Sequence, residues 1–457
     1  MRNMIKTALF FLVVVLSSCQ SNDDGWQDLF NGKNLDGFKQ LNGKAPYYVK
    51  DGCLIGKTKA GEPNSFMATT NDYGDFILEF EVKCDPSMNS GVQFRSQSLP
   101  SYNNGRVHGY QCEIDPSDRA WSGGIYDEAR RGWLVPLTNN PEGRAAYKKD
   151  GWNKYRIEAI GNNMRIWLNG VNTANLYDDM TAKGFIAFQV HGIGNNEDKA
   201  GKEICWRNIR IKTENLAASR MQGKLAPVVN RIPNTLTEEE KEEGWKFLFD
   251  GKSTEAWRGV HAETFPQTGW TIQDGTLTLL NKKDTPRGGD IVTKEQYGAF
   301  ELSFEFKLTE GANGGIKYFV QESKKNKGFA WGLEYQVLDD KKHPDANKYT
   351  SYPGSRTVSS LYDIIPAKGK RVNAIGQWNY GLIKVLPNNH VEHWLNGIKV
   401  LEYDRKSDEF RNLIKGSKYA GKAYAENGPF CEEDKGYILI QDHSDVVSYR
   451  NIKIKVL

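Results

Sequence analysis

YGDFILEFEVK, residues 73–83, alternates apolar with acidic or basic side chains along most of its length. A period of two belongs to an extended strand that buries one face and wets the other. The same string returns as YGAFELSFEFK at 297–307, and the correspondence runs outward in both directions. GWQDLFNGKNLDGF (25–38) answers GWKFLFDGKSTEAW (244–257), and YVKDGCL (48–54) answers TIQDGTL (271–277). NSGVQF (89–94) answers NGGIKY (313–318), WLNG recurs at 167 and 394, and RNIRI (207–211) matches RNIKI (450–454). The period of about 220 residues is too long for a solenoid and is that of a whole domain. One module is used twice.

Each copy reads as a series of short strands. YRIEAI (155–160), MRIWLNG (164–170), FIAFQVH (185–191) and YILIQDH (437–443) alternate as the opening string does. Asp-Gly at 51–52 and 274–275 and Asn-Gly at 169–170 and 396–397 supply hairpin turns. With 12% aromatic residues and 45 glycines, the composition suits a turn-rich β protein with an ample core. No long segment of helical period competes, so the expectation is all-β, two tandem sandwiches. The arrangement resembles the concanavalin A-like lectin and glucanase jelly roll, with an active surface on the outer, concave face of one sheet. The first module is expected over 25–213 and the second over 244–457. Between them, 214–236 has no sustained period and reads as linker. Thr237 with Glu240 three residues on is a capping-box signature, predicting a short helix before Gly244.

The face assignments pick out candidate site residues. In GYQCEID (109–115), Tyr110, Cys112 and Ile114 go to the core, leaving Gln111, Glu113 and Asp115 outward together. In GLEYQVLD (332–339), Glu334 and Gln336 face outward, so carboxylate and amide exchange places between copies. Gln93 and Arg95 share the outer face of SGVQFR (90–95). In the second copy Lys317 is the outward cation, and Phe319 stands where Arg95 does. A Gln-x-His pair, Gln189 with His191 and Gln441 with His443, occurs in both copies of a chain that has only 7 histidines. Tyr126 and Tyr362 match and add a phenol, while Trp121 and Trp133 offer rings for stacking on a pyranose. Amides and carboxylates pair with sugar hydroxyls, and a Glu with a His exchanges protons near neutral pH. Solubility alone explains any one such residue on a strand face; the matched set points to carbohydrate chemistry.

Other features carry less. The glycines of NSGV and NGGI read as sites of close backbone approach, and WLNG and RNI as architecture. No DxDxDG calcium loop is present, and no cofactor is certain, although a divalent metal is possible. The DDKKHPD loop offers Asp339 and His343 to a divalent metal, but a solvated acidic loop is the preferred reading. Formal net charge is +4. Without Arg2 and Lys6 it falls to about +2, which suggests no nucleic-acid partner.

The strings LFDGKS, YGDFILEFEVK with NSGVQFR, GYQCEID or GLEYQVLDD, WLNG, the Gln-x-His pair and RNI-x-I resemble the 3-keto-α-glucoside 1,2-lyase and 3-keto-2-hydroxyglucal hydratase family, also known as the 3-keto-disaccharide hydrolase domain. The resemblance covers nearly all of both copies. It implies an enzyme acting on a glucoside or 3-keto-glucoside, in which a C3 ketone acidifies the C2 hydrogen and β-elimination expels the C1 substituent. Such a reaction needs a base near C2, a donor at the C3 oxygen and an acid for the leaving group. The expected base or acid is His191 or His443, partnered by Glu113 or Glu334. Arg95 or Lys317 is expected at the enolate oxygen, with Tyr126 or Tyr362 assisting. Gln93, Gln111, Gln189, Gln336 and Gln441 are expected to bind hydroxyls. Two alternatives stand beside this: a conventional glycoside hydrolase using Glu113 and Asp115, and a glycan-binding protein without catalysis.

MRNMIKTALFFLVVVLSSC places two cations before a short apolar run and ends on Cys19. This is the layout of a secretory signal over residues 1–18, and LSSC resembles a bacterial lipobox in which Cys19 is acylated. The QSNDD that follows resembles surface-export signals of Bacteroidetes lipoproteins. The expected location is the cell envelope, on the outer membrane, facing the periplasm or the surface, with the lipid as the only membrane contact. Five other cysteines remain (Cys53, Cys84, Cys112, Cys205 and Cys431), an odd number that leaves at least one thiol free. Cys112 reads as a buried thiol.

Overall fold

The computed structural model describes residues 25–280, 286–323, 330–425 and 428–457. The expected signal segment (1–18) and Cys19 lie outside the described residues.

The alternating strings form central strands. Phe76–Cys84 sits between Asn153–Ile160 and Glu203–Lys212, and its counterpart Phe300–Leu308 between Trp378–Val385 and Val447–Val456. In the first module they belong to a nine-stranded sheet, packed on a seven-stranded one. The second module pairs an eight-stranded sheet with a five-stranded one. Each sandwich encloses its own apolar core: Phe80, Tyr155, Phe188 and Trp206 meet in the first, Phe304, Tyr335 and Leu302 in the second. Separate cores make these two modules of one architecture, all-β, consistent with a jelly roll.

The repeated architectural strings do what their chemistry suggests. Trp167 and Trp394 are buried, and Asn169 and Asn396 each take a positive φ of 50° at the hairpin turn. Asn208 and Asn451 also sit at positive φ, where the closing strand shifts register against its neighbour. That bulge lets one long strand bend around the sandwich. The five described cysteines outside the leader are all free thiols, and Cys112 is fully buried.

The connection between modules is more ordered than its composition predicts. Val228–Asn230 adds a parallel edge strand to Val171–Tyr177. Val229 packs against the first core, a local gain that a periodicity reading of a three-residue strand misses. The predicted helix forms at Glu238–Glu242 with a full capping box. Its Glu240 does more than cap: it also accepts from Asn230 and pairs with buried Lys453 of the second module. Glu239 accepts from Tyr177 at 2.9 Å and pairs with Arg165 at 3.3 Å, both on the first module. Asn234 donates to Gly275 O and accepts from Asn451 N, each at 2.8 Å. The linker is a clasp holding both sandwiches.

Candidate active site

The seven-stranded sheet of the first module floors a cleft of about 1540 Å³. Its central strands are Ser90–Gln97, His108–Ile114 and Phe185–Val190, with Ile125–Glu128 and Gly132–Val135 extending one side. The period-of-two assignment places Gln111 and Glu113 on the cleft side, with Tyr110, Cys112 and Ile114 behind them in the core. They are not water-washed as expected: Gln111 is 2% exposed and Glu113 is 4% exposed. Gly91 explains how they fit. A Cβ there would lie 2.4 Å from the Gln111 side chain, so the glycine makes room for that amide to cross the sheet.

A directed hydrogen-bond series ends on Glu113. Ser96 Oγ donates to Gln93 (2.7 Å), Gln93 Nε2 to Gln111 (2.7 Å), and Gln111 Nε2 to Glu113 (3.0 Å). Asn89 Nδ2 donates to the other Glu113 oxygen at 2.7 Å, and the Arg119 guanidinium lies 3.4 Å from it. Burial nevertheless outweighs these partners and pushes the Glu113 carboxyl up to about 7. A buried carboxylate with that pKa is poised to take or give a proton near neutrality.

Around it stand groups suited to a polyhydroxylated ligand. Both amide atoms of fully buried Gln189, which lines the cleft, find no partner among the described residues. Buried polar atoms are normally paired, so this amide is open to a ligand. Tyr126 and Trp133 line the same wall, 5.3 Å apart between ring centres, and the Tyr126 hydroxyl makes no hydrogen bond to described protein groups. Burial, the leading cause, raises its pKa, keeping it a neutral donor.

Several expected roles do not fit where the chain places the residues. Arg95 is not in the cleft. The strand bulges between Phe94 and Gln97, with Arg95 at φ 47°, and the bulge reverses the alternation that put Arg95 beside Gln93. Its buried guanidinium instead donates to Gly74 O and Gly161 O (2.8 Å each) and to Asp75 (2.9 Å), pinning loops together. His191 lines the cleft but is exposed past the strand end; Nδ1 contacts Gly192 O at 2.7 Å rather than Glu113. Trp121 is buried behind Trp133, their ring centres 4.7 Å apart, and so supports the wall instead of stacking on a sugar. Asp115 is fully engaged: Ser117 Oγ (2.6 Å) and Ser117 N (3.3 Å) donate to one oxygen, Arg119 Nε (2.7 Å) and Trp121 N (3.4 Å) to the other.

The second module arranges the same positions differently. Gly315 makes room for Glu334 and Gln441, but Gln336 occupies the Glu113 position, donating to Gly314 O (3.0 Å) and Glu334 Oε1 (3.1 Å). Lys317 stands 4.0 Å from Glu334, and the Tyr362 hydroxyl is committed to Asp345 at 2.7 Å. His443 is exposed at the strand end. Asp339 and His343 do not converge on a metal: Asp339 accepts from the backbone of Gly311, Lys341 and Lys342, and His343 Nδ1 accepts from Asp345 N. Among the described residues, the acidic and imidazole groups that do converge are His390, Glu392 and Glu402, where Lys399 already bridges both glutamates.

The family model for the 3-keto-alpha-glucoside-1,2-lyase-like domain matches residues 25–212 and again 244–455. The chain belongs to this family. It is similar to the 3-keto-disaccharide hydrolase of Bacteroides thetaiotaomicron, 34% identical over 233 residues, covering 47% of this chain and 79% of that protein. Among crystal structures, a proposed glycosyl hydrolase of Parabacteroides distasonis is 30% identical with a TM-score of 0.42, covering 50% of this chain and all of the other. A second from the same organism is 26% identical with a TM-score of 0.33, covering 44% and 99%. Both family matches coincide with the two sandwiches, so the asymmetry at Glu113 and Gln336 is a difference between two members of one family within one chain.

Proposed function

We propose that the first module cleaves 3-keto-glycosides by β-elimination, with Glu113 as the base. The observation that carries this is the desolvated Glu113 carboxyl, held near neutral pKa at the floor of the cleft. In the reaction Glu113 takes the C2 proton, a C1–C2 double bond forms as electrons from the C3 enolate return, and the C1–O bond breaks. Arg119 and the Tyr126 hydroxyl are the donors at hand for the C3 oxygen and the departing oxygen. Gln189 and Gln111 offer hydroxyl contacts, and Trp133 an apolar face. Water adding back to the unsaturated sugar would use the same base in reverse. The family membership and the relative's name support a carbohydrate-active enzyme of the 3-keto-disaccharide hydrolase type. The saturated hydrogen bonding of Asp115 weighs against a two-carboxylate hydrolase. The leader pattern supports a place in the cell envelope, with Cys19 carrying the lipid.

The test is to incubate the full chain with a 3-keto-glucoside and the corresponding plain glucoside and follow free aglycone. Release from the keto substrate alone is expected. Release from the plain glucoside would favour hydrolysis, and binding without release of either would favour glycan binding.

A further inference from the structure

We infer that the second module forms the leaving-group wall of the first module's site, so that Arg371 and Gln377 of one copy grip the departing sugar of a 3-keto-disaccharide cleaved in the other. The inference rests on the reading of the first-module cleft as the site of chemistry.

The cleft does not belong to the first sandwich alone. Arg371, Gln377 and Trp378 of the second module line it opposite the strands that carry Gln111 and Glu113. Arg371 reaches across far enough to stand 5.7 Å from the ring centre of Trp121, the residue that backs Trp133. Trp378 is held by Arg450, 4.1 Å from its ring centre. The two banks are fixed by the clasp of Glu240 with Lys453 and Asn234 with Asn451, and by Thr138 Oγ1 donating to Gly397 O. The wall is therefore preformed.

Its chemistry is polar and uncommitted. Arg371 and Gln377 are exposed, Arg371 forms no ion pair among the described residues, and neither side chain donates a hydrogen bond to a described group. Groups of that kind, facing a cleft beside a tryptophan, suit the hydroxyls and ring face of a sugar. The space agrees: a cleft of about 1540 Å³ exceeds the roughly 300–1,000 Å³ typical of small-molecule pockets, and one sugar ring would leave the far bank empty. A glycoside whose leaving group is itself a sugar would bring that second ring against the bank that carries Arg371 and Gln377. The second module, with Gln336 in the Glu113 position, thus has a task as a binding surface.

The experiment compares kcat/KM for a 3-keto disaccharide and for methyl 3-keto-glucoside in the full chain and in Arg371→Ala with Gln377→Ala. The substituted residues lie on an exposed loop, so folding is checked only by a melting curve. The ratio of the two kcat/KM values is expected to fall about tenfold, chiefly through KM for the disaccharide. A ratio within about twofold of the parent overturns the inference. Glu113→Gln, by contrast, should slow both substrates alike, which separates loss of chemistry from loss of the wall. If the parent chain turns over neither substrate, the proposed reaction fails, and calorimetry with the disaccharide decides the wall by itself: weaker binding by the double variant sustains it, equal binding overturns it.

Discussion

Replacing Glu113 by glutamine should make the protein more stable at alkaline pH while removing its base. The folded carboxyl sits at 4% exposure and its pKa is raised from 4.5 to about 7, burial being the largest cause. The folded state therefore holds this proton more tightly than the unfolded chain does. Its contribution to stability is fully present below pH 4.5 and is lost as the pH rises through 7. A shift of that size corresponds to about 3 kcal/mol. Glutamine keeps the shape, can accept from Asn89 and is already present at the equivalent position as Gln336, yet does not titrate. Urea denaturation followed by tryptophan fluorescence, at about pH 4 and about pH 8, should show the variant gaining about 3 kcal/mol on the parent between the two. A stability difference that stays flat across that range would refute the desolvated carboxyl and with it the argument for a neutral-pH base.

Three further outcomes follow from the same contacts. The pH profile of kcat/KM on a 3-keto-glucoside should fall about tenfold per unit below about pH 7, as Glu113 protonates; a profile flat to pH 5 would assign the base elsewhere. Arg95→Ala should lower stability by about 3 kcal/mol in a melting experiment, because three hydrogen bonds from a buried guanidinium vanish, without a selective loss of kcat in the folded protein. Lys453→Ala should cost about 3–5 kcal/mol in denaturation, since Glu240 is left buried without its cation; a variant as stable as the parent would show the clasp to be dispensable.

Much of the scaffold is legible in the letters because sheets obey a local rule. A period of two placed Tyr110, Cys112 and Ile114 in the core and Gln111 and Glu113 on the other face, and comparing copies marked WLNG and RNI as structural. The rule fails where the backbone breaks it. The bulge at Arg95 turned a cleft-facing cation into a structural pin, and nothing in SGVQFR announces it apart from the matching bulge at Phe319. Distance along the chain hid the rest. Asn89 was visible as the first letter of a shared string, but Arg119 lies in an aperiodic loop, and Arg371 reaches the cleft from another module. The Gln-x-His pair marks a strand end, where His191 and His443 emerge into solvent, so the period of two does not fix where their rings point. Burial, which gives Glu113 its pKa, is a property of the closed cleft and appears in no short motif.

The most direct test of the account is the rate of aglycone release from a 3-keto-glucoside by Glu113→Gln and, separately, Glu334→Gln. With Glu113 as the base, the first substitution lowers the rate by at least about a hundredfold and the second changes it by less than about threefold. A Glu113→Gln protein that keeps its rate, or a Glu334→Gln protein that loses it, would contradict the assignment of the chemistry to the first module.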